Sequence, residues 1–276
     1  MSLTDVAIQQ FLDQFKIQYQ ATKRKLDGTF TDYRGLEGDA FKIPVLEEIQ
    51  MQNRGAYNSV IASQIPDNAF KIITFDDFIT RLPIDDFEKF QTNANVRSAY
   101  SMLAVSALNR KQDQIGINAL NASTTTNAVA VGTTNLTVDK IRDAAELLDI
   151  QNVPPEDRFW AANASQKKSL LNETETTSSD YNTVKTLVQG QIDSFYGFKF
   201  IWFGNMIEGG LPKTNDNRLN FAWHMGSIAY GYKMNPTVVV ERVPAEQNWN
   251  IFPKTSLGGN EVLPKGIVKI TCDETK

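Results

Sequence analysis

The sequence predicts an α+β fold, and three observations carry that reading. Helical and strand-like periods interleave along the chain without the regular strand–helix–strand repetition of a parallel sheet. One segment, from about Asn93 to Leu120, keeps a helical period over a length that is unusual inside a globular domain. From Leu219 to Thr271 the pattern is strand-rich.

Taken in order, the first segment places Ile8, Phe11, Leu12, Phe15, Tyr19 and Leu26 on one helical stripe, with Gln10, Asp13, Arg24 and Lys25 on the other side. Ser2 or Thr4 can cap its start, and Asp27-Gly28 should end it. From Tyr33 to Phe75 the period changes to two, with Phe41, Ile43 and Val45 on one face and Lys42 on the other. Turn residues at Gly35, Gly38, Gly55 and Pro66-Asp67-Asn68 punctuate it, so the segment reads as a long two-stranded excursion returning through Lys71 to Thr74. Two strands alone bury too little surface to be stable, so such a ribbon is expected to lean on another chain.

Residues 67–88 hold six acids, Asp67, Asp76, Asp77, Asp85, Asp86 and Glu88, against Lys71 and Arg81. They alternate with Phe75, Phe78, Ile79, Leu82, Ile84 and Phe87, as the wet faces of packed elements do, and no calcium-loop spacing is present. In the long helix Val96, Tyr100, Leu103, Ala104, Ala107, Leu108 and Ile115 are expected inside, and Ser98, Ser106, Asn109, Gln112 and Asp113 outside.

The polar stretch Asn121 to Asn135 reads as a loop. Beyond it Thr137 caps a helix with Val138, Ile141, Ala145 and Leu148 inward. A strand follows from Arg158 to Ala162, then a helix from Ser165 to Leu171, a helix or turn around Val184 to Val188, and a strand from Phe198 to Phe203. Glu208 to Asn217 is turn chemistry and should form an exposed loop at one end of a domain. Strands are expected at Leu219 to Met225, Thr237 to Val243, Trp249 to Phe252 and Ile267 to Thr271.

Composition excludes several function classes. With 28 basic and 32 acidic side chains the net charge is −4, and 41% of the residues are hydrophobic, enough for a sizeable core. A single cysteine, Cys272, forms no internal disulfide, and a single histidine, His224, anchors no multi-histidine metal site. No apolar run is long enough for a membrane-crossing helix, and the first residues lack the layout of a secretion signal. Phosphate-loop, dinucleotide-loop and serine-hydrolase-elbow patterns are absent. His224 sits in an apolar strand, FAWHMG, and reads as a packed, hydrogen-bonded side chain, while Cys272 reads as a small buried hydrophobe. Trp160, Trp202, Trp223 and Trp249 lack the basic neighbours that base stacking uses, and read as core or interface anchors. No catalytic, cofactor or metal site emerges.

The order of these pieces resembles the major capsid protein of tailed double-stranded DNA bacteriophages, with the Hong Kong 97-type fold. The resemblance runs over nearly the whole chain. Gly38 to Val45 (GDAFKIPV) looks like the opening of the family's extended loop, and Phe87 to Gln91 leads into a segment resembling its spine helix, closing at Arg110 to Leu120 (RKQDQIGINAL). Arg158 to Ser165 (RFWAANAS) and Gly190 to Met206 resemble the axial domain. Phe221 to Ala229, Val238 to Glu241 and Leu263 to Ile270 look like the closing strands.

The resemblance implies an N-terminal arm helix over 1–34, the extended loop over 35–75, a peripheral domain with the spine helix over 76–130, an axial domain over 131–235 and core-completing strands over 236–276. It implies a shell built from pentamers and hexamers, located in the virion after synthesis in the host cytoplasm. A separate scaffolding protein and a portal are the implied partners, with packaged DNA touched only weakly and no membrane involved. The implied subunit contacts are Phe11, Phe15 and Tyr19 on the arm and Gly209, Gly210 and Asn217 on a loop at the axial tip. No motif carries over the lysine–asparagine crosslink of some relatives. Two other readings stay open: an encapsulin-type nanocompartment shell within the same fold, and a hydrolase using His224 with a nearby acid.

Overall fold

The computed structural model describes residues 20–53, 55, 63, 65–66, 68–85, 96–173 and 194–275. In chain order these give β1 (Thr31–Arg34), β2 (Ala40–Leu46), β3 (Asn68–Thr74), β4 (Asp76–Ile79) and β5 (Leu82–Asp85), followed by the helix α1 (Val96–Ala122). Then come β6 (Ala128–Val129), α2 (Val138–Ile150), β7 (Arg158–Asn163), α3 (Ala164–Asn172), β8 (Ser194–Phe195), β9 (Phe198–Phe203), β10 (Lys213–Thr214) and β11 (Asn217–His224). The strands β12 (Ile228–Val243), β13 (Asn248–Glu261) and β14 (Ile267–Asp273) complete the chain.

One sheet has the order β6-β14-β11-β7-β9-β8, with β10 beside β11. Both of its faces are buried, which is why its strands read as continuous apolar runs. Along β7, Trp160 and Ala162 join one core with Ile141, Leu148 and Phe198 from α2 and β9, while Phe159 and Ala161 join the opposite core. That second core brings Leu26, Phe30, Ile117, Leu120, Trp223, Tyr230 and Leu257 together between this sheet, α1 and the second sheet. The second sheet has the order β1-β12-β13-β4, with β5 also on β13. The ribbon is a separate antiparallel pair of β2 and β3.

Several expectations stand as written. Thr137 caps α2 by accepting from the Lys140 amide, and Val138, Ile141, Ala145 and Leu148 are buried there. The ribbon alternates as the sequence requires, Phe41, Ile43 and Val45 being half-buried and Lys42 exposed. Asn163 caps α3 in a reciprocal box with Gln166, which fixes how that helix leaves β7.

Others are corrected. Residues 20–30 form no helix, so the first helix does not reach Asp27-Gly28, and Leu26 instead enters the second core from a turn. The rest of that stripe, like the expected turn at Val184 to Val188, lies outside the described residues. On α1, Ser106, Gln112 and Asp113 are buried although their polarity placed them outside. The reason is that α1 from Ala104 onward is covered on more than one side, so polar residues are satisfied by specific partners rather than by water. Asp113 accepts from the amides of Lys25 (3.1 and 3.0 Å) and Leu26 (3.0 Å), and the Ser106 hydroxyl donates to the Met102 carbonyl (2.9 Å). The strands β12 and β13 also run well beyond the expected segments, because Gly231, Gly258 and Gly259 interrupt the sequence signal where other chain segments press closest.

Leu103 is only half-buried, whereas Leu108 is 7% exposed. Leu108→Ala should therefore lower stability by about 2–5 kcal/mol, with Leu103→Ala costing clearly less. Urea melts of the two variants side by side check this ranking, and equal losses would contradict the burial.

Candidate subunit-interface surfaces

The ribbon carries several exposed apolar side chains on one face. Register pairs Pro44 with Phe70 and Lys42 with Ile72, so Pro44, Leu46, Phe70 and Ile72 share one face. Leu46 is 68% and Phe70 60% exposed. The opposite face carries Phe41, Ile43 and Val45, all half-buried, and Ile73, which is buried at the base. Exposed acids Glu47 and Glu48 follow β2.

The base of the ribbon rests on a glycine pair. Gly231 and Gly258 face each other across β12 and β13. A Cβ on Gly258 would lie 1.9 Å from the Thr74 carbonyl oxygen, and one on Gly231 would lie 2.2 Å from the Phe41 ring. Two further contacts hold β3 to β13, and a third stacks β2 on the residue after β3. The Asn260 amide donates to the Ile72 carbonyl (2.8 Å), Lys71 pairs with Glu261 (2.9 Å), and Phe41 stacks on Phe75 with ring centroids 5.7 Å apart.

Glu261 ties this base to the end of α1. Its carboxylate accepts from the Ser123 hydroxyl (2.7 Å), from the Thr124 amide (2.8 Å) and hydroxyl (2.6 Å), and from Lys71. Burial alone would raise its pKa, but the bonds from Thr124, Ser123 and Lys71 prevail and hold it down to about 2. Glu274 shows the same balance, burial opposed by Arg218 and Lys213, and also lies at about 2. Both folded values sit below the ordinary carboxylate value of 4.5. The stability these groups contribute is therefore complete above about pH 4.5 and is lost as pH falls toward 2. Glu261→Gln should remove part of that acid sensitivity, about 2 kcal/mol after allowing for water screening at Lys71, and melts between pH 2 and 6 measure it. An unchanged acid slope in the variant would show that the four bonds do not favour the ionised form.

Of the expected exposed loop, Lys213 to Asn217 are exposed, while Glu208 to Leu211 pack against the rest of the chain. Gly210 and Leu211 are buried, and the Gly209 amide donates to Gln114 of α1 (2.7 Å). Gly209 has a left-handed φ of 76°, and a Cβ on Gly210 would come within 2.2 Å of the Met206 carbonyl. Valine at these positions would thus strain the subunit itself. Asn217 is exposed and pairs with Thr214 in the short β10–β11 hairpin, while Ile207 is the fully exposed apolar residue of the loop. Phe11, Phe15 and Tyr19 lie outside the described residues.

The residues singled out for chemistry have structural occupations. His224 Nδ1 accepts from the Gly226 amide (3.2 Å), capping the short turn between β11 and β12. Cys272 is buried against Asn220 (3.2 Å), and burial pushes its thiol up to about 11. Trp160 and Trp223 are fully buried, and Trp202 and Trp249 half-buried. Among the described residues no group of three or more His, Cys, Asp or Glu is placed to hold a metal ion, and no helix is long and apolar enough to cross a membrane.

Glu261 and Asp113 were not legible as organisers, since nothing local distinguishes them from solvated acids. The second apolar face of the ribbon was legible in the spacing of Phe70 and Ile72 against Pro44 and Leu46.

The fold has close counterparts among solved capsids. A structure from Mycobacterium phage Che8 is similar with a TM-score of 0.79 and 19% identity, covering 99% of each chain. The capsid of cyanophage P-SCSP1u gives 0.79 at 16% identity, covering 97% of this chain and 93% of that one. The capsid asymmetric unit of cyanophage Pam1 gives 0.76 at 12% identity, covering 99% and 98%. No curated protein matches the chain. The family model for phage capsid protein matches residues 3–274, and the chain belongs to the phage capsid protein family.

Proposed function

We propose that this chain is the shell-forming subunit of a tailed phage, assembling as pentamers and hexamers into an icosahedral container for double-stranded DNA. The observation that carries the reading is the ribbon. Its outer face exposes Leu46, Phe70 and Ile72, while the other large apolar side chains among the described residues are mostly buried in three cores. An apolar row on a two-stranded ribbon is costly in water and becomes favourable when a neighbouring subunit covers it. The arm stripe of Phe11, Phe15 and Tyr19 has the same logic in sequence, and the exposed Ile207 and Asn217 suit contacts around a ring axis.

A net charge of −4 suits a wall that touches packaged DNA weakly, since tight binding would need a phosphate-neutralising basic surface. The subunit is made in the host cytoplasm and ends in the virion shell, with a portal and a scaffolding protein as its partners during assembly. Electron micrographs of the purified chain test the proposal. Closed icosahedral shells are expected, and their absence under all assembly conditions would sink it. Removing residues 1–19 should leave a folded subunit that does not close into shells; a cut after residue 26 would instead remove Leu26 from the core and leave Asp113 without its amide donors. DNA inside native particles distinguishes a phage capsid from an enzyme-holding nanocompartment.

A further inference from the structure

Lys213 and Arg218 are opposite one another across the β10–β11 hairpin. Two cations on paired positions of a hairpin repel, and Arg218, buried at 6% exposure, has little water to screen it. The group that reconciles them comes from the residues that follow β14. The Glu274 carboxylate accepts from Arg218 Nε (2.7 Å) and Nη2 (3.2 Å) and pairs with Lys213 Nζ (2.7 Å). The Glu274 amide donates to the Asp216 carbonyl in the hairpin turn (3.0 Å). The guanidinium that Glu274 orients also holds both ends of the loop before the hairpin. Arg218 Nη1 donates to the Leu211 carbonyl (2.9 Å) and Nη2 to Asn205 Oδ1 (2.7 Å). Asn205 in turn accepts from Asn163, the residue that caps α3. Between those two ends stands the fully exposed Ile207, and beyond them lie the exposed hairpin residues Lys213 to Asn217.

We propose that Glu274 is the positioning residue of this tip: through Arg218 and Lys213 it fixes the direction in which Ile207 and the β10–β11 hairpin are presented to neighbouring subunits. The inference rests on the shell reading above and names what controls the geometry of one contact surface within it. A surface that every ring repeats has to leave the subunit at a defined angle. A carboxylate bonded side-on to a guanidinium is directional in a way that an apolar contact is not. Such a pair, mostly out of water, adds little net stability, yet losing one partner leaves the other charge buried and uncompensated. Stability and direction are therefore separable. Apolar side chains in place of both charges can restore the first, but they cannot replace the bonds from Arg218 to Asn205 and Leu211.

Three variants of the full chain test this, each followed by thermal melts, by amide exchange of the unassembled subunit and by the fraction in closed shells. Glu274→Gln should speed exchange in residues 205–217 about tenfold or more and lower the shell fraction by a similar factor, since Arg218 then faces Lys213 without a carboxylate between them. Arg218→Met with Glu274→Leu removes both buried charges together. It should melt close to the unmodified chain, yet exchange fast at the same residues and assemble poorly. Lys213→Glu changes an exposed position that does not threaten the fold, and sets a second carboxylate against Glu274. It should loosen the same residues and reduce assembly in the same direction. Slow exchange at 205–217 in Glu274→Gln or Lys213→Glu, or normal shells from the Arg218→Met, Glu274→Leu chain, would overturn the proposal and leave the shell reading intact. Absence of shells from the unmodified chain would instead sink the shell reading, and the role of Glu274 in presenting the tip with it.

Discussion

Gly258→Val should yield a folded subunit that hardly assembles. The side chain would be added beneath the base of the ribbon, where a Cβ would lie 1.9 Å from the Thr74 carbonyl oxygen, 2.9 Å from its carbon and 3.2 Å from Ile73 Cγ2. The first two are backbone atoms, so no side-chain rotation relieves the clash and the ribbon has to move off β13. That movement breaks the Asn260–Ile72 bond and strains the Lys71–Glu261 pair, the contacts that set the direction in which the ribbon leaves. The loss in the isolated subunit should be about 1–3 kcal/mol, because the core on the opposite face of the sheet, with Tyr230 and Leu257, is untouched. Assembly should fall much further. Every subunit of a shell repeats the misdirected ribbon, and each 1.4 kcal/mol lost per contact weakens association about tenfold. Gly226→Ala is the matched control: its nearest neighbour, His224 Nδ1, would be at an ordinary 3.5 Å, so both melting and assembly should stay close to those of the unmodified chain. Sedimentation and micrographs of the two variants decide the matter. Wild-type shells from Gly258→Val would mean that the direction of the ribbon is set elsewhere.

This expectation depends on features that differ in how legible they were. The ribbon itself was readable because Phe41, Ile43 and Val45 alternate with Lys42, and a period of two survives whatever the strand packs against. The helix α2 was readable because Thr137 announces its start and only one face meets the core. The phase of α1 was not, since reading polarity as exposure presumes one wet side. Asp113 shows why: a carboxylate that accepts three amide bonds from Lys25 and Leu26 is buried at 1% exposure, and burial raises its pKa against the pull of those bonds. The partner amides are about ninety residues away in sequence, so no local window contains the information. The same holds for Gly258 and Gly231, which break the strand pattern because a ribbon from elsewhere in the chain needs the space their missing side chains leave. Gly209 and Gly210 read by composition as part of an exposed loop, and in the structure they pack closely, Gly209 on α1 and Gly210 on Met206. Turn chemistry marks where a chain can bend, while burial decides whether the bend is free.

Trp223→Ala should be the most destabilising single substitution among the four tryptophans, costing about 3–5 kcal/mol. Trp223 is fully buried near the C-terminal end of β11, paired in register with Phe159 of β7 and Ile267 of β14. Its ring lies between Phe30 at 5.5 Å and Phe159 at 6.0 Å, each inclined by 29°, and its indole N–H donates to the Thr29 carbonyl (3.1 Å). Truncation removes the ring from a core that meets two sheets and a helix, leaves the Thr29 carbonyl without its donor and opens a space that three separate elements would have to close together. Trp202 is the internal comparison. It is half-buried, stacked on Phe200 at 5.3 Å with Lys167 near its ring, and can lose its outer part to solvent, so Trp202→Ala should cost clearly less. The larger loss also has a local consequence, because Thr29 and Phe30 belong to the segment that Asp113 fastens to α1. Amide exchange in residues 24–30 should therefore speed up in Trp223→Ala and stay slow in Trp202→Ala, read by mass spectrometry alongside denaturant melts. A loss below about 1 kcal/mol for Trp223→Ala would contradict its full burial, and unchanged exchange at residues 24–30 would show that Asp113 alone holds the root of the arm.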